Sequence, residues 1–366
     1  MRPTWAEINL NSLKHNYLQV KKLVENDVGV ISIVKADAYG HGAVEVSREL
    51  ENLGSDYLGV ATLEEGIELR ESGIKSPIII LGANYGHQYK EIDHFNLIPS
   101  IFDLNTAKEF NSKSKQNNKI LKCHIKLDTG MTRLGVREDE LNRFLEEFNF
   151  MKNLEIEGVF THLASAYLQP EEYTFVQMDL FSTLVSKIRR FNIDYKYLHC
   201  ANSAAIQRYP ELHLDLVRPG IMLYGSGPRF NKEIIIIKPV MKLKTHILQI
   251  KDVPSNTSIS YGGTYITKKR SKIATLPVGY ADGYMRKLSN KGKVLINGSL
   301  VPIIGSVCMD LTIIDISDLD EVNVGDEVIL FGDERIDVDD VANWADTISY
   351  EVLSVVGKRV PRKYIT

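Results

Sequence analysis

Over the first two thirds of the chain, short apolar runs rich in β-branched residues alternate with longer segments in which Leu, Val, Ile and Phe recur at helical spacing. The strand-like runs are Val28–Val34, Tyr57–Ala61, Pro77–Leu81, Leu97–Phe102, Lys122–Leu127, Ile156–Thr161, Tyr197–Cys200 and Leu214–Val217. Leu13–Leu23 and Leu141–Met151 show the helical spacing between them. Strands that alternate with helices predict a parallel sheet, and eight such units over roughly 220 residues match a closed (β/α)8 barrel in length. An open doubly wound sheet is the rival arrangement, although it usually has fewer strands.

After about Lys232 the pattern changes and strand signals follow one another closely. Lys293 to Ile304 reads as a hairpin around Asn297-Gly298, a strong two-residue turn signal. Leu311–Ile316 and Glu327–Phe331 add further strands. The expected fold class is therefore α/β, a (β/α)8 barrel over 11–232 followed by a mostly β domain over 233–366.

Composition narrows the function classes. The chain has 366 residues, 44% of them hydrophobic and 25% charged, enough for two buried cores without staples. A net charge of −3 gives no bulk attraction to nucleic acid or anionic membrane. Cys123, Cys200 and Cys308 lie far apart, which fits a reducing compartment better than a disulfide framework. No signal-peptide core or membrane-length apolar run is present, so cytoplasmic residence is expected. The nine histidines form no HExxH-like cluster, and no metal site is expected.

Candidate chemistry gathers where barrel strands end. The first strand runs into VKADAYGHG, residues 34–42, which puts Lys35 at the C-terminal end of a strand, where such barrels hold catalytic groups. Between Val34 and Ala36 its amine can lose hydration and become a better nucleophile toward an aldehyde; a surface lysine just past the strand is the plainer reading. HCANSAA (199–205) and VRPGIMLYG (217–225) follow strands seven and eight, the loops that often build a phosphate site. Ser203 offers a hydroxyl there, and the Gly220 and Ile221 amides can approach phosphate oxygens; plain tight turns are the alternative. Gly225 and Gly227 do not open a GxGxxG fingerprint, because Phe230 takes the last position.

These segments, with KLDTGMTRLG (126–135), FTHLASA (160–166), SYGGTY (260–265), PVGYADG (277–283), GSVCMD (305–310) and SYEVL (349–353), resemble the alanine racemase family, in order and across nearly the whole chain. The resemblance implies pyridoxal 5'-phosphate as cofactor, alanine as substrate, a homodimer with shared active sites, and strand 1–10 packing on the β domain. It implies that Lys35 carries the cofactor and that Tyr261, from the other subunit, is the second base. Arg218 matches the arginine facing the pyridine nitrogen, and His162 the histidine that bonds it. Tyr39, Ser203, Gly220, Ile221 and Tyr350 match the phosphate ligands. Arg133 and the Met309 amide match the substrate carboxylate site. Lys126 matches a lysine often carbamylated, and Tyr280 a tyrosine at the substrate channel. The implied role is to supply D-alanine for peptidoglycan.

The residue types suit that chemistry. Racemisation removes the Cα proton on one face and delivers one on the other, most simply with a base on each. An arginine stays protonated and cannot hand a proton to a ring nitrogen outright, which keeps the electron sink weak. A decarboxylase of this fold would need a carboxylate where Arg218 stands, and barrel proteins that only bind the cofactor lack the β domain and Tyr261. A racemase for serine or a wider set of amino acids is the nearest alternative; against it, the resemblance implies that Tyr350 crowds the substrate methyl, where serine-preferring relatives tend to carry a smaller polar residue. For Arg218 the simpler expectation is an ion pair with Asp215 or Glu211; for Lys126, one with Asp128. Tyr167 and Ser306 depart from the family pattern, which commonly has aspartate and arginine there, and suggest a neutral channel.

Overall fold

The structure is a computed structural model that describes residues 3–228, 230 and 235–366. The division expected between residues 232 and 233 falls outside the described residues. Strand β1 (Trp5–Asn9) leads into a helix over Leu10–Leu23 whose N-terminus is capped by the Asn9 side chain. Then come β2 (Gly29–Ile33), β3 (Tyr57–Val60), β4 (Ile78–Ile80), β5 (Ile98–Ile101), β6 (Leu121–Lys126), β7 (Leu154–Phe160), β8 (Tyr197–His199) and β9 (Leu216–Val217). They form one eight-stranded parallel sheet in which β9 pairs with β2. Between β8 and β9 the circle closes through Asp215 N–H to the Leu198 carbonyl (3.1 Å) and Arg218 N–H to the Ala201 carbonyl (2.9 Å).

The fold is the barrel expected from the sequence, and all eight predicted runs supply its strands. Such strands are buried on both faces and so read as unbroken apolar runs; Ile78, Ile79 and Ile80 have no exposed surface. The last run is shorter than predicted because Leu214 takes φ +52°, a left-handed conformation that cannot continue a strand.

The second region is built on β10 (Met241–His246), β11 (Gln249–Val253), β12 (Ser258–Ile259), β13 (Tyr265–Ile266), β14 (Ser271–Leu276), β15 (Lys293–Ile296), β16 (Ser299–Pro302), β17 (Thr312–Asp315), β18 (Glu327–Phe331) and β19 (Arg362–Ile365). A six-stranded sheet runs β16-β15-β18-β10-β1-β19, so the first strand of the chain lies inside the second region, antiparallel to β10 and parallel to β19. The β15–β16 hairpin turns on Asn297 and Gly298, both at positive φ, as a two-residue turn matching strand twist requires. One apolar core continues from the barrel into this sheet. Among the described residues no helix is long and apolar enough to cross a membrane.

Candidate active site

Lys35 follows β2 after a single residue, Val34, and opens an unusual turn. Ala36, Asp37, Ala38 and Tyr39 all have φ near +53°, a left-handed helical turn without glycine. Each such residue costs ~1–2 kcal/mol, so the turn stores on the order of 4–8 kcal/mol that its surroundings must hold. Glu65, which caps the helix Leu63–Glu71, also accepts the Ala36 N–H at 2.7 Å. Asp37 accepts the Ala43 N–H at 2.7 Å, and Nδ1 of buried His41 lies 3.0 Å from the carbonyls of both Ala38 and Tyr39. Burial, then the Arg133 charge, pulls the Lys35 amine below its ordinary value, against Glu65.

Arg218 sits under the mouth of the barrel, 4% exposed. Its Nη2 donates to the Thr161 and Cys200 carbonyls at 2.7 and 3.0 Å and lies 3.4 Å from Nδ1 of His162; its Nη1 is 2.6 Å from Nδ1 of His199. No ion pair joins it to Asp215, whose carboxylate accepts the Leu198 N–H instead, or to Glu211. Below it, Nε2 of His199 is 2.9 Å from Nδ1 of His124, whose Nε2 is 3.5 Å from the Glu157 carboxylate; Lys122 pairs with Glu157 at 3.1 Å. Strand β7 carries one residue too many here: Cys123 pairs with Ile156 but His124 with Gly158, so Glu157 is a bulge residue. The bulge turns its side chain to His124, and a Cβ on Gly158 would strike the His124 ring. His199, His124 and Glu157 are not singled out by the sequence reading.

The same mouth gathers further positive charge. His162 is held far below its usual value, first by burial and then by Arg218, Arg133, Lys126 and Lys35. Lys126, 6% exposed and 5.6 Å over the Phe160 ring, is brought down to about 8 by burial and by Arg133, Arg218 and Lys35. It makes no ion pair with Asp128, which instead accepts the Gly130 and Thr132 N–H groups at 3.0 Å each. Exposed Arg133 has no carboxylate partner among the described residues. A mouth this cationic is suited to an anionic ligand.

The expected phosphate ligands converge. A Cβ on Gly220 would lie 2.7 Å from the Tyr39 hydroxyl, so only glycine leaves room for that group. Ser203 Oγ accepts the Gly220 N–H at 2.9 Å and lies 3.4 Å from the Met222 N–H, beside the short helical turn that begins at Ile221. Tyr350, in the helix Ser349–Ser354, places its ring 6.1 Å from that of Tyr39. Burial and then Tyr167 push the Tyr350 phenol up to about 12.

The remaining expected residues face outward. Tyr261 is 74% exposed, and its phenol bonds to no described residue. Ser306 does not face solvent: it is 7% exposed, its Oγ donates to the Tyr261 carbonyl at 3.0 Å, and its own carbonyl accepts from Ser260 at 2.6 Å. Tyr280 and Met309 are 43% and 53% exposed, tied together where the Tyr280 N–H meets the Cys308 carbonyl at 3.0 Å and the Ala281 N–H meets that of Met309. Gly279 packs against Cys308 and Met309 too closely for a Cβ.

Residues 8–228 match the family described as alanine racemase, N-terminal domain, and residues 240–364 the corresponding C-terminal domain. The chain is 47% identical to the alanine racemase of Halothermothrix orenii over 367 residues, 99% of this chain and 97% of that protein. Among solved structures it resembles an alanine racemase from Clostridium difficile 630 with a TM-score of 0.94 at 40% identity, covering 100% of this chain and 96% of the other. It also resembles the Bartonella henselae alanine racemase with covalently bound pyridoxal phosphate, TM-score 0.92 at 30% identity, with 100% of both chains covered. A closed barrel joined to a β domain, with these relatives, makes the chain an enzyme of the isomerase class. Within that class it belongs to the alanine racemase family.

Proposed function

We propose that the chain interconverts L- and D-alanine with pyridoxal 5'-phosphate held at the barrel mouth, using Lys35 and Tyr261 of the partner subunit as the two bases. The residues present fit that cofactor. The Tyr39 and Ser203 hydroxyls, brought together beside Gly220, are donors suited to a phosphate, and the lowered Lys35 amine is suited to covalent attachment. When bound, the group supplies a conjugated ring that takes up the electron pair released as the Cα–H bond breaks.

The carrying observation is the placing of Lys35, with its lowered amine, at the same mouth as Arg133 and the buried Arg218. Arg133 can bind both oxygens of the substrate carboxylate in its planar fork, with the Met309 amide as a further donor. Arg218 is bonded to imidazoles and carbonyls and to no carboxylate, which favours racemisation over decarboxylation. His162 accepts from Arg218 through Nδ1, so its proton resides on Nε2, a donor that favours the phenolate of an incoming tyrosine. The exposure of Tyr261 supports a homodimer in which each mouth receives the other subunit's phenol. Tyr350 at the cradle supports alanine over serine. We assign the division into residues 11–232 and 233–366 on the same reading, with cytoplasmic D-alanine supply to peptidoglycan as the role.

The test is a visible spectrum of the purified protein with pyridoxal phosphate, followed by chiral analysis after adding L-alanine. Wild type is expected to show a visible band and form D-alanine; Lys35→Ala is expected to bind cofactor loosely and lose almost all turnover. Full band and turnover in Lys35→Ala would rule out Lys35 as the attachment point.

A further inference from the structure

The left-handed turn after β2 is held from the far end of the chain. Arg362, in the last strand β19, is 10% exposed in its side chain and makes five hydrogen bonds to four backbone carbonyls. Its Nε and Nη2 donate to the Gly40 carbonyl at 3.0 and 2.8 Å. Its Nη1 donates to Gly357 and Val360 at 2.7 Å each, and Nη2 also to Val356 at 2.6 Å. One guanidinium thus ties the turn carrying Lys35 and Tyr39 to the segment that follows the helix carrying Tyr350. Two residues on, the Tyr364 hydroxyl donates to the His41 carbonyl at 3.2 Å, and a Cβ on Gly42 would collide with it. Arg362 is also 4.0 Å from the Asp37 carboxylate. Gly40 packs against the Leu353 carbonyl so closely that no Cβ fits. None of these groups belongs to the cradle itself.

A left-handed turn without glycine does not persist on its own; its neighbours have to over-determine it. We propose that Arg362, assisted by Tyr364, is a positioning residue that latches this turn, so that the C-terminal strand sets the spacing of Tyr39 and Tyr350 across the phosphate cradle. The part of this inference that concerns cofactor rests on the function proposed above; the part that concerns the turn does not. A planar fork suits the task, because it reaches the Gly40 carbonyl and the 356–360 carbonyls at once. A lysine, a single point donor, reaches fewer of them.

The test uses full-length apoprotein, titrated with pyridoxal phosphate, and measures hydrogen–deuterium exchange of the amides over residues 36–43. Arg362→Ala is expected to weaken cofactor binding roughly tenfold or more and to speed exchange across that segment, with Arg362→Lys between it and wild type. Tyr364→Phe removes only the hydroxyl on the His41 carbonyl; a smaller acceleration of the same amides is expected, and this variant decides the matter should Arg362→Ala not fold. Wild-type cofactor affinity together with wild-type exchange in these variants would overturn the latch. Absence of cofactor binding by the wild type would sink the proposed function instead, and the amide exchange would still decide the latch.

Discussion

The Nη1 of Arg218 stands 2.6 Å from Nδ1 of His199, and that contact fixes the protons of the groups below it. Arginine only donates, so His199 Nδ1 accepts and its proton lies on Nε2. That proton points to Nδ1 of His124, which accepts in turn and keeps its own proton on Nε2, facing Glu157. Burial, the leading cause, lowers both imidazoles and keeps them neutral. The positive charge at the mouth is thus joined to a carboxylate deep in the barrel by two neutral rings, not by an ion pair. His199→Leu leaves a buried Arg218 N–H without an acceptor, and is expected to lower stability by about 1–3 kcal/mol in urea unfolding. His199→Gln, whose carbonyl can accept, is expected to recover part of that loss; no difference between the two variants would show that the acceptor is unimportant.

The lower end of this chain predicts an acid limb. Burial works to raise the Glu157 carboxyl, but the bond from the neutral His124 ring and the bond and charge of Lys122 outweigh it and hold it at about 2. A carboxylate with a lowered folded value contributes stability above its unfolded value near 4.5, and that contribution fades as pH falls from there toward 2. Glu157→Gln should therefore be less stable than wild type at pH 7, with the gap closing as pH drops below about 4. A gap that stays constant across that range would show that the Glu157 carboxyl titrates alike in the folded and unfolded chains and is not lowered by its partners.

Much of this was legible in the sequence, for identifiable reasons. The barrel strands announce themselves because both faces are buried, as in Ile78–Ile80, and the hairpin because Asn297-Gly298 suits a turn of positive φ. Ser203 and Gly220, the cradle residues of the proposed function, lie in loops whose position after the seventh and eighth strands already singles them out as candidates. Glu157 was hidden because simple alternation sets it on the same face as exposed Glu155; only the bulge turns it to His124. The left-handed turn was hidden because Ala36-Asp37-Ala38-Tyr39 contains no glycine to betray it. Beyond the local bonds of Glu65, Asp37 and His41, a further restraint comes from residue 362, a separation that local pattern does not carry.

Lys126 gives a prediction of the opposite sign. Its folded value, about 8, lies below the ordinary 10.5, with burial the leading cause. Below about 8 the ammonium is charged in both states, and folding bears the whole cost of burying it. Between 8 and 10.5 the folded state releases its proton first, so stability rises with pH across that window. Lys126→Met removes the buried charge and is expected to stabilise the apoprotein at pH 7 by on the order of 1–3 kcal/mol, the excess vanishing by about pH 10.5. A neutral amine beside Arg133 is also competent to add carbon dioxide, giving a carbamate that braces the guanidinium. A carbonyl resonance from 13C-bicarbonate at pH 8, absent in Lys126→Met, is the expected signature; its absence from wild type would argue against the modification.

The two faces of the substrate separate the two proposed bases. Tyr261→Phe keeps the ring, and because the exposed phenol bonds to no described residue the variant is expected to fold normally. With Lys35 serving D-alanine and Tyr261 serving L-alanine, loss of the phenol should slow proton removal from L-alanine by ~10²–10⁴-fold, the usual contribution of a positioned base. Removal from D-alanine should survive better, since the Lys35 amine and its neighbours are untouched. Ser306→Ala provides a graded control: it removes the hydrogen bond to the Tyr261 carbonyl without touching the phenol, and a smaller loss in the same direction is expected. Solvent deuterium exchange at Cα, followed separately for each enantiomer, reads these rates directly. Strong exchange of D-alanine with little exchange of L-alanine supports the assignment. Equal loss for both would point to a single base that serves both faces, or to a Tyr261 that only shapes the mouth.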